Sequence, residues 1–159
     1  MEQHDLIVVT PVYEDVEACS RLFKELADQF NDRLFVVAVD DGSVRQPLDV
    51  DCLEAAGVKG VVIKLKRNVG HQKAIAIGLS YVSDKIGPDQ RVVVMDSDGE
   101  DLPATIPTLL EQLQRDDVDV AVAHRKSRVE TWRFKLFYAI YKRVFKVMTG
   151  RPISFGNFM

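Results

Sequence analysis

Five apolar runs, separated by charged or helical stretches, constrain the fold of this chain more than any other feature. Each run is short and rich in Val and Ile, as expected for a buried strand. The runs cover residues 6–10, 34–39, 61–65, 91–95 and 119–123. Between them apolar residues recur at spacings of three and four, which predicts helices over residues 15–30, 74–82 and 106–113. Alternating strands and helices need crossover connections, so the sequence predicts an α/β fold with a mainly parallel central sheet and helices on both faces.

The charge is divided unevenly along the 159 residues, a length that suits one ordinary domain. Residues 1–124 hold 12 Lys and Arg against 23 Asp and Glu, whereas residues 125–159 hold 9 against 1. We therefore expect a core at residues 1–128 and a basic segment at residues 129–159 that begins a truncated C-terminal part. Net charge divided in this way indicates two surfaces with different partners.

Several classes of protein are excluded by composition. The acidic start is unlike a secretory signal, and no apolar run approaches the roughly 20 residues of a membrane-spanning helix. Cys19 and Cys52 are far apart in sequence and lack a CxxC context, which disfavours zinc and redox chemistry. We expect a cytoplasmic protein, with the cytoplasmic face of a membrane as an alternative position.

The residues that follow the first four apolar runs are chemically unusual. They are residues 10–14, 40–43, 66–73 and 96–101. In parallel sheets, ligands bind beyond the carboxyl ends of the strands, near the point where the strand order reverses. We expect these four segments, called the rim below, to lie together at that edge.

The most specific motif of the rim is Asp96 and Asp98 after an apolar run. Side chains two residues apart face the same way on an extended chain, and a turn there brings both carboxylates onto one ion. Carboxylate oxygens suit Mg²⁺ or Mn²⁺ carrying a diphosphate, so the pair is a candidate metal site. The alternative is a polar turn with Asp101 as the N-cap of the next helix. An EF-hand is excluded because Asp101 stands where that loop needs Gly.

Two other rim segments also carry charge. Asp40 and Asp41 can accept hydrogen bonds from a nucleobase or ribose, or they can form an Asx-type turn. Four potentially cationic residues surround Gly70, namely Lys66, Arg67, His71 and Lys73. They can meet phosphate charge at the start of a helix, although a solvated basic loop would look the same.

Taken together, the rim motifs resemble family 2 glycosyltransferases of the GT-A type, which are inverting enzymes that use nucleotide-diphosphate sugars. The matching motifs are VTPVYE at residues 9–14, VDDGS at 39–43, RNVGHQKA at 67–74 and MDSD at 95–98, in the family's order over residues 6–128. The nearest likeness is to polyprenyl-phosphate (dolichyl-phosphate-like) glycosyltransferases, whose metal motif runs into a Pro-containing helix. The resemblance implies a Rossmann-like GT-A nucleotide-diphospho-sugar transferase fold.

The resemblance also implies roles for single residues. The nucleotide-sugar site would comprise Pro11, Tyr13, Glu14, Asp40, Asp41, Lys73, Asp96 and Asp98. The first three would line the nucleoside pocket, Asp41 would contact the base with Asp40 close by, and Lys73 would approach the nucleotide. Asp96 and Asp98 would act through Mg²⁺ or Mn²⁺, the implied cofactor.

The basic end of the chain has two features of its own. Arg125 and Arg128 resemble the stretch that polyprenyl-phosphate enzymes place near the acceptor phosphate, and guanidinium groups suit bidentate phosphate binding. Residues 131–148 predict a helix with a narrow basic face and a broad aromatic and aliphatic face. Such a helix suits an anionic membrane surface, an intramolecular docking site or missing transmembrane segments. Nucleic acid is not an expected partner, since the acidic core would repel it.

The sequence as a whole predicts an inverting transfer of a sugar from a nucleotide-diphosphate sugar to a polyprenyl-phosphate at a membrane surface. The alternatives are transfer to a soluble or polysaccharide acceptor, and a nucleotide-sugar-binding module without turnover. No catalytic base is identified, because residues 153–158, where relatives commonly supply acids, contain none. Three explanations stay open: the base lies elsewhere in the chain, the acceptor is an already ionised phosphate that needs no base, or the chain is weakly active.

Overall fold

Four parallel strands form the sheet of the structure, a computed structural model that describes residues 4–116 and 118–123. The strands are β1 (Leu6–Val12), β2 (Leu34–Asp40), β3 (Lys59–Lys64) and β4 (Arg91–Val94), in the order β3-β2-β1-β4. The helices are α1 (Val16–Phe30), α2 (Asp51–Ala55), α3 (His71–Ser83) and α4 (Ile106–Asp116), with 3₁₀ turns at Asn31–Arg33 and Pro103–Thr105. The predicted first four strands are confirmed, with ends that shift by up to two residues.

The core lies on both faces of β1, which is buried along its whole length. Leu6, Val8 and Val12 pack with α1, and Ile7 and Val9 pack on the opposite face, where α3 contributes Val82. The alternation follows from the period of two in a strand. The predicted parallel sheet with helices on both faces is therefore confirmed. Burial of Cys19 in the core beside α1 raises the pKa of its thiol to about 12.

Helix α3 lies close to the sheet because of a glycine. A Cβ at Gly78 would come within 2.6 Å of Val9 Cγ1 and 3.0 Å of Val39 Cγ2. Only a residue without a side chain permits this approach. The close packing sets the position of α3 on the sheet, and with it the position of its first turn at the rim.

The predicted fifth strand, residues 119–123, is wrong. The structure has no strand in residues 118–123, and Val120 and Val122 are 73% and 79% exposed. A β-branched composition favours extended backbone, but a strand also needs a neighbour to accept its hydrogen bonds. No described strand pairs with these residues, and within residues 4–116 and 118–123 β4 is the last strand of the sheet.

The basic end lies outside the described residues. This applies to Arg125, Arg128 and the predicted helix at residues 131–148. The strands and helices given above all belong to the compact unit that runs through Ala121. Within the part of the chain that the structure describes, no helix has the length and apolar character to cross a membrane.

Candidate active site at the carboxyl edge of the sheet

The four rim segments meet at one edge of the sheet, as the topology requires. Ser97 Oγ donates to the carbonyl of Pro11 at 3.1 Å, which joins the end of β4 to the end of β1. His71 Nε2 lies 3.2 Å from Asp96 Oδ1, which joins the start of α3 to the end of β4. The switch in strand order falls at β1, between β2 and β4, where ligands of such sheets bind.

Glu14, which the family resemblance places at the nucleoside pocket, is hydrogen-bonded through its carboxylate to backbone N–H groups. Its carboxylate accepts N–H bonds from Val44, Arg45 and Gln46 at 2.9–3.2 Å. These bonds, that of Val44 foremost, lower the pKa of Glu14 below its ordinary value of 4.5. The carboxylate therefore fixes the segment at residues 41–48, called the β2 loop.

Asp40 and Asp41 also hold backbone. Asp40 accepts from the N–H groups of Ser43 and Leu48, both at 2.9 Å, which are three and eight residues on rather than the two of an Asx-turn. Asp41 accepts from Val69 at 2.7 Å and Gly70 at 3.0 Å, in the β3 loop of residues 65–70. Both acids are buried. Their contact with a base or ribose stays a prediction, whereas their role in holding the two loops is structural.

The two loops touch at Gly42. A Cβ on this residue would lie 2.4 Å from the backbone carbon of Arg67 and 2.6 Å from Asn68 N. Gly42 also has φ of +75°, in the left-handed region that favours glycine. The β2 loop and the β3 loop therefore form one joined wall of the rim.

The turn after β4, residues 96–101, presents the acids differently. Asp96 is half-buried, and burial raises the pKa of its carboxyl, with nearby acids adding to the effect and His71 opposing it. Asp98 is exposed and accepts the N–H of Glu100 at 2.8 Å, a bond within its own turn. Asp101 is not an N-cap: it accepts the N–H of Asp96 at 2.9 Å, and the following 3₁₀ turn has Leu102 at its N-cap.

The exposed side of the rim carries cations and an aromatic ring. Lys73 lies in the first turn of α3 and is exposed, as are Lys66 and Arg67. Tyr13 is 53% exposed, whereas Pro11 is buried in β1. Exposed cations and acids therefore occur in adjacent segments of the rim, a composition that suits a ligand carrying both phosphate and a divalent ion.

Sequence reasoning missed the contacts that orient the acids. Nothing in the sequence distinguishes Ser97, whose hydroxyl holds the turn against β1, from an ordinary surface serine. His71 was identified only as one cation of four, and not as the neighbour of Asp96. Among the described residues, no group of three or more His, Cys, Asp or Glu has the arrangement of a metal centre. Asp96 and Asp98 therefore stay a predicted pair of ligands.

The sequence model described as "Glycosyl transferase family 2" matches residues 7–154. The chain belongs to glycosyl transferase family 2. Family 2 relatives include an undecaprenyl-phosphate 4-deoxy-4-formamido-L-arabinose transferase of Enterobacter sp. (strain 638), 28% identical over 95% of this chain and 46% of the relative. The transferase of the same name from Sodalis glossinidius (strain morsitans) is 30% identical over 92% of this chain and 45% of the relative's length. This family 2 chain spans about half the length of these curated relatives.

Solved structures agree on the fold. Residues 1–349 of S. aureus TarS in complex with UDP match with a TM-score of 0.57 and 21% identity, over 80% of this chain and 40% of that chain. The same fragment with UDP-GlcNAc gives a TM-score of 0.56 at 22% identity, over 80% and 39%. The predicted GT-A fold is confirmed by this likeness together with the parallel sheet.

Proposed function

We propose that this family 2 domain binds a nucleotide-diphosphate sugar at the rim and transfers the sugar, with inversion, to a polyprenyl-phosphate. The carrying observation is the contact between His71 Nε2 at the start of α3 and Asp96 Oδ1 after β4, at 3.2 Å. Asp98 belongs to the same turn as Asp96, and Lys73 belongs to the same first turn of α3 as His71. Opposite charges placed at the switch in strand order suit a diphosphate that arrives with a divalent ion. The undecaprenyl-phosphate transferases among the relatives support the choice of acceptor.

Asp96 and Asp98 are the residues that would hold Mg²⁺ or Mn²⁺. Two carboxylates fit such an ion, because these ions keep several waters and share their remaining positions with phosphate oxygens. The bound ion would neutralise charge that develops on the leaving diphosphate. Lys73 would add a second positive charge to the same phosphates, and Ser97 and Asp101 keep the turn in place through Pro11 and Asp96.

The nucleoside would lie against the wall formed by the β2 and β3 loops, with exposed Tyr13 in contact. Arg125 and Arg128 would bind the acceptor phosphate. That phosphate is itself the nucleophile and is ionised near neutral pH, so it attacks without a protein base. This agrees with the absence of acids from residues 153–158.

Calorimetry with UDP and GDP sugars tests the donor site. We expect saturable binding that needs Mn²⁺ and weakens at least about tenfold in Asp98→Ala, which removes a proposed ligand. Asp28→Ala, an exposed change on α1, is the matched control and should bind as the unaltered chain does. If no nucleotide sugar binds, or if binding ignores both Mn²⁺ and Asp98, the proposed function is wrong.

Vesicles test the acceptor side. Co-sedimentation with vesicles that contain anionic lipid and undecaprenyl phosphate should fall when Lys142, Arg143 and Lys146 are neutralised together, since polybasic segments bind anionic surfaces. Sugar transfer into the lipid fraction should fall in Arg125→Ala and Arg128→Ala. Transfer to a water-soluble acceptor with no effect of lipid would instead support the alternative acceptor class.

A further inference from the structure

We propose that Glu14 is a positioning residue whose carboxylate acts as an internal anion. It fills a cradle of backbone N–H groups in the β2 loop and so holds the wall against which a nucleotide would lie. The proposal rests on the nucleotide-sugar binding proposed above. It replaces the direct contact between Glu14 and the nucleoside that the family resemblance implies.

The cradle is formed by three successive residues. The N–H groups of Val44, Arg45 and Gln46 all point at the Glu14 carboxylate, and the N–H of Arg45 lies within 3.2 Å of both oxygens. Successive backbone N–H groups arranged in this way make a concave anion site. Arg45 Nε adds positive charge 3.8 Å from Oε2. Glu14 supplies from within the chain the anion that such a site needs.

The backbone of Glu14 is committed to the same contact. Its φ is +53°, in the left-handed region that residues with side chains rarely adopt, and its N–H donates to Ser43 Oγ at 2.9 Å. Such a conformation persists where surrounding contacts fix it. Only 11% of the side chain is exposed, so the carboxylate faces the loop rather than an incoming ligand.

The effect of Glu14 extends to both loops of the joined wall. The β2 loop that it holds contains Gly42, which lies against the backbone of Arg67 and Asn68. A shift of the β2 loop therefore moves the β3 loop as well, and the β3 loop leads directly into the first turn of α3 with Lys73. Loss of the carboxylate should weaken nucleotide binding without removing any ligand of the nucleotide.

Glu14→Gly tests this proposal, because glycine accepts the left-handed φ while the carboxylate is lost. We expect the amides of residues 44–46 to exchange hydrogen faster and the nucleotide sugar that binds the unaltered chain to bind about tenfold more weakly. Formate, a free carboxylate of the right size for the emptied cradle, should restore both amide protection and nucleotide affinity. Glu14→Gln, which keeps one acceptor oxygen, should give an intermediate loss, and it replaces Glu14→Gly if that variant does not fold.

Asp15→Ala is the matched control. Asp15 caps α1 by accepting from Ala18 N at 3.0 Å. Its loss should therefore destabilise the start of α1 without removing an acceptor from the N–H groups of the β2 loop. Nucleotide affinity should hold in this variant, and formate should have no effect on it. The proposal is overturned if Glu14→Gly leaves amide exchange unchanged, or if formate restores neither protection nor affinity. Amide exchange is read without nucleotide, so failure here is distinct from failure of the unaltered chain to bind a donor.

Discussion

The carboxylates at the ends of β1 and β2 lie among backbone N–H groups, whereas Asp96 and Asp98 after β4 face a histidine and solvent. Glu14, Asp40 and Asp41, the anchoring acids, each accept bonds from at least two backbone N–H groups. Asp98 accepts from one neighbour in its own turn, and Asp96 lies beside His71. Acids at the same edge of one sheet thus divide into those that build the wall and those left available to a ligand.

The largest expected effect is on the free energy of unfolding, which should depend on the anchoring acids but not on the exposed acid after β4. Asp41→Ala leaves two backbone N–H groups without their acceptor, which should lower the free energy of unfolding by about 2–4 kcal/mol. Asp98→Ala, at an exposed position, should change it by less than about 0.5 kcal/mol. Urea unfolding measures both values. Asp41→Asn, which keeps one acceptor oxygen, should fall between them, and equal losses at positions 41 and 98 would contradict the division.

A pair of glycines sharpens the same comparison. Gly99 in the β4 turn has φ of +84° and open space around it, so Gly99→Ala should cost about 1 kcal/mol of backbone strain. Gly42 has similar backbone strain, but an added Cβ would also meet the backbone of Arg67 and Asn68. Gly42→Ala should therefore cost about 1–3 kcal/mol more than Gly99→Ala. Equal melting temperatures for the two variants would show that the β2 and β3 loops move apart to admit the added Cβ at little cost in stability.

The smallest effect is a pH dependence. The pKa of Glu14 is lowered by the backbone N–H groups, so its carboxylate stabilises the folded chain above the ordinary value of 4.5. This contribution is lost as the pH falls through the lowered pKa of the folded state. The difference in stability between the unaltered chain and Glu14→Gln should therefore shrink as urea unfolding is repeated from neutral pH to below 4.5. A constant difference would mean that the charge of Glu14 does not matter.

Periodicity predicted most of the fold. The apolar alternation of β1 and the three-four spacing of α1 are properties of the segments themselves, and both elements form where expected. The spacing at residues 119–123 is also strand-like, but pairing depends on a neighbour that the segment does not encode. A run of Val therefore indicates a preference for extended backbone, but not that the segment pairs in a sheet.

The rim could be located from the sequence, but the use of its acids could not. Strand alternation predicts where a side chain points only up to the last paired residue. Beyond that residue, the direction of the Glu14 carboxylate depends on a φ of +53°, and Asp40 and Asp41 are buried by loops that follow them in sequence. Motif spacing predicts which residues assemble, whereas hydrogen bonds decide which of them are left for a ligand.

The pairing of β1 with β4 has a consequence for the order of folding. β1 pairs with β2, and β2 pairs with β3, so each of these pairs joins strands that are consecutive in sequence. In contrast, Leu6 of β1 pairs with Arg91 of β4 across most of the described chain. Closing so long a loop carries a larger entropic cost than joining adjacent elements. The anchored wall can thus assemble from the first part of the chain, and the β4 turn with Asp96 and Asp98 joins it once the more distant strand has docked.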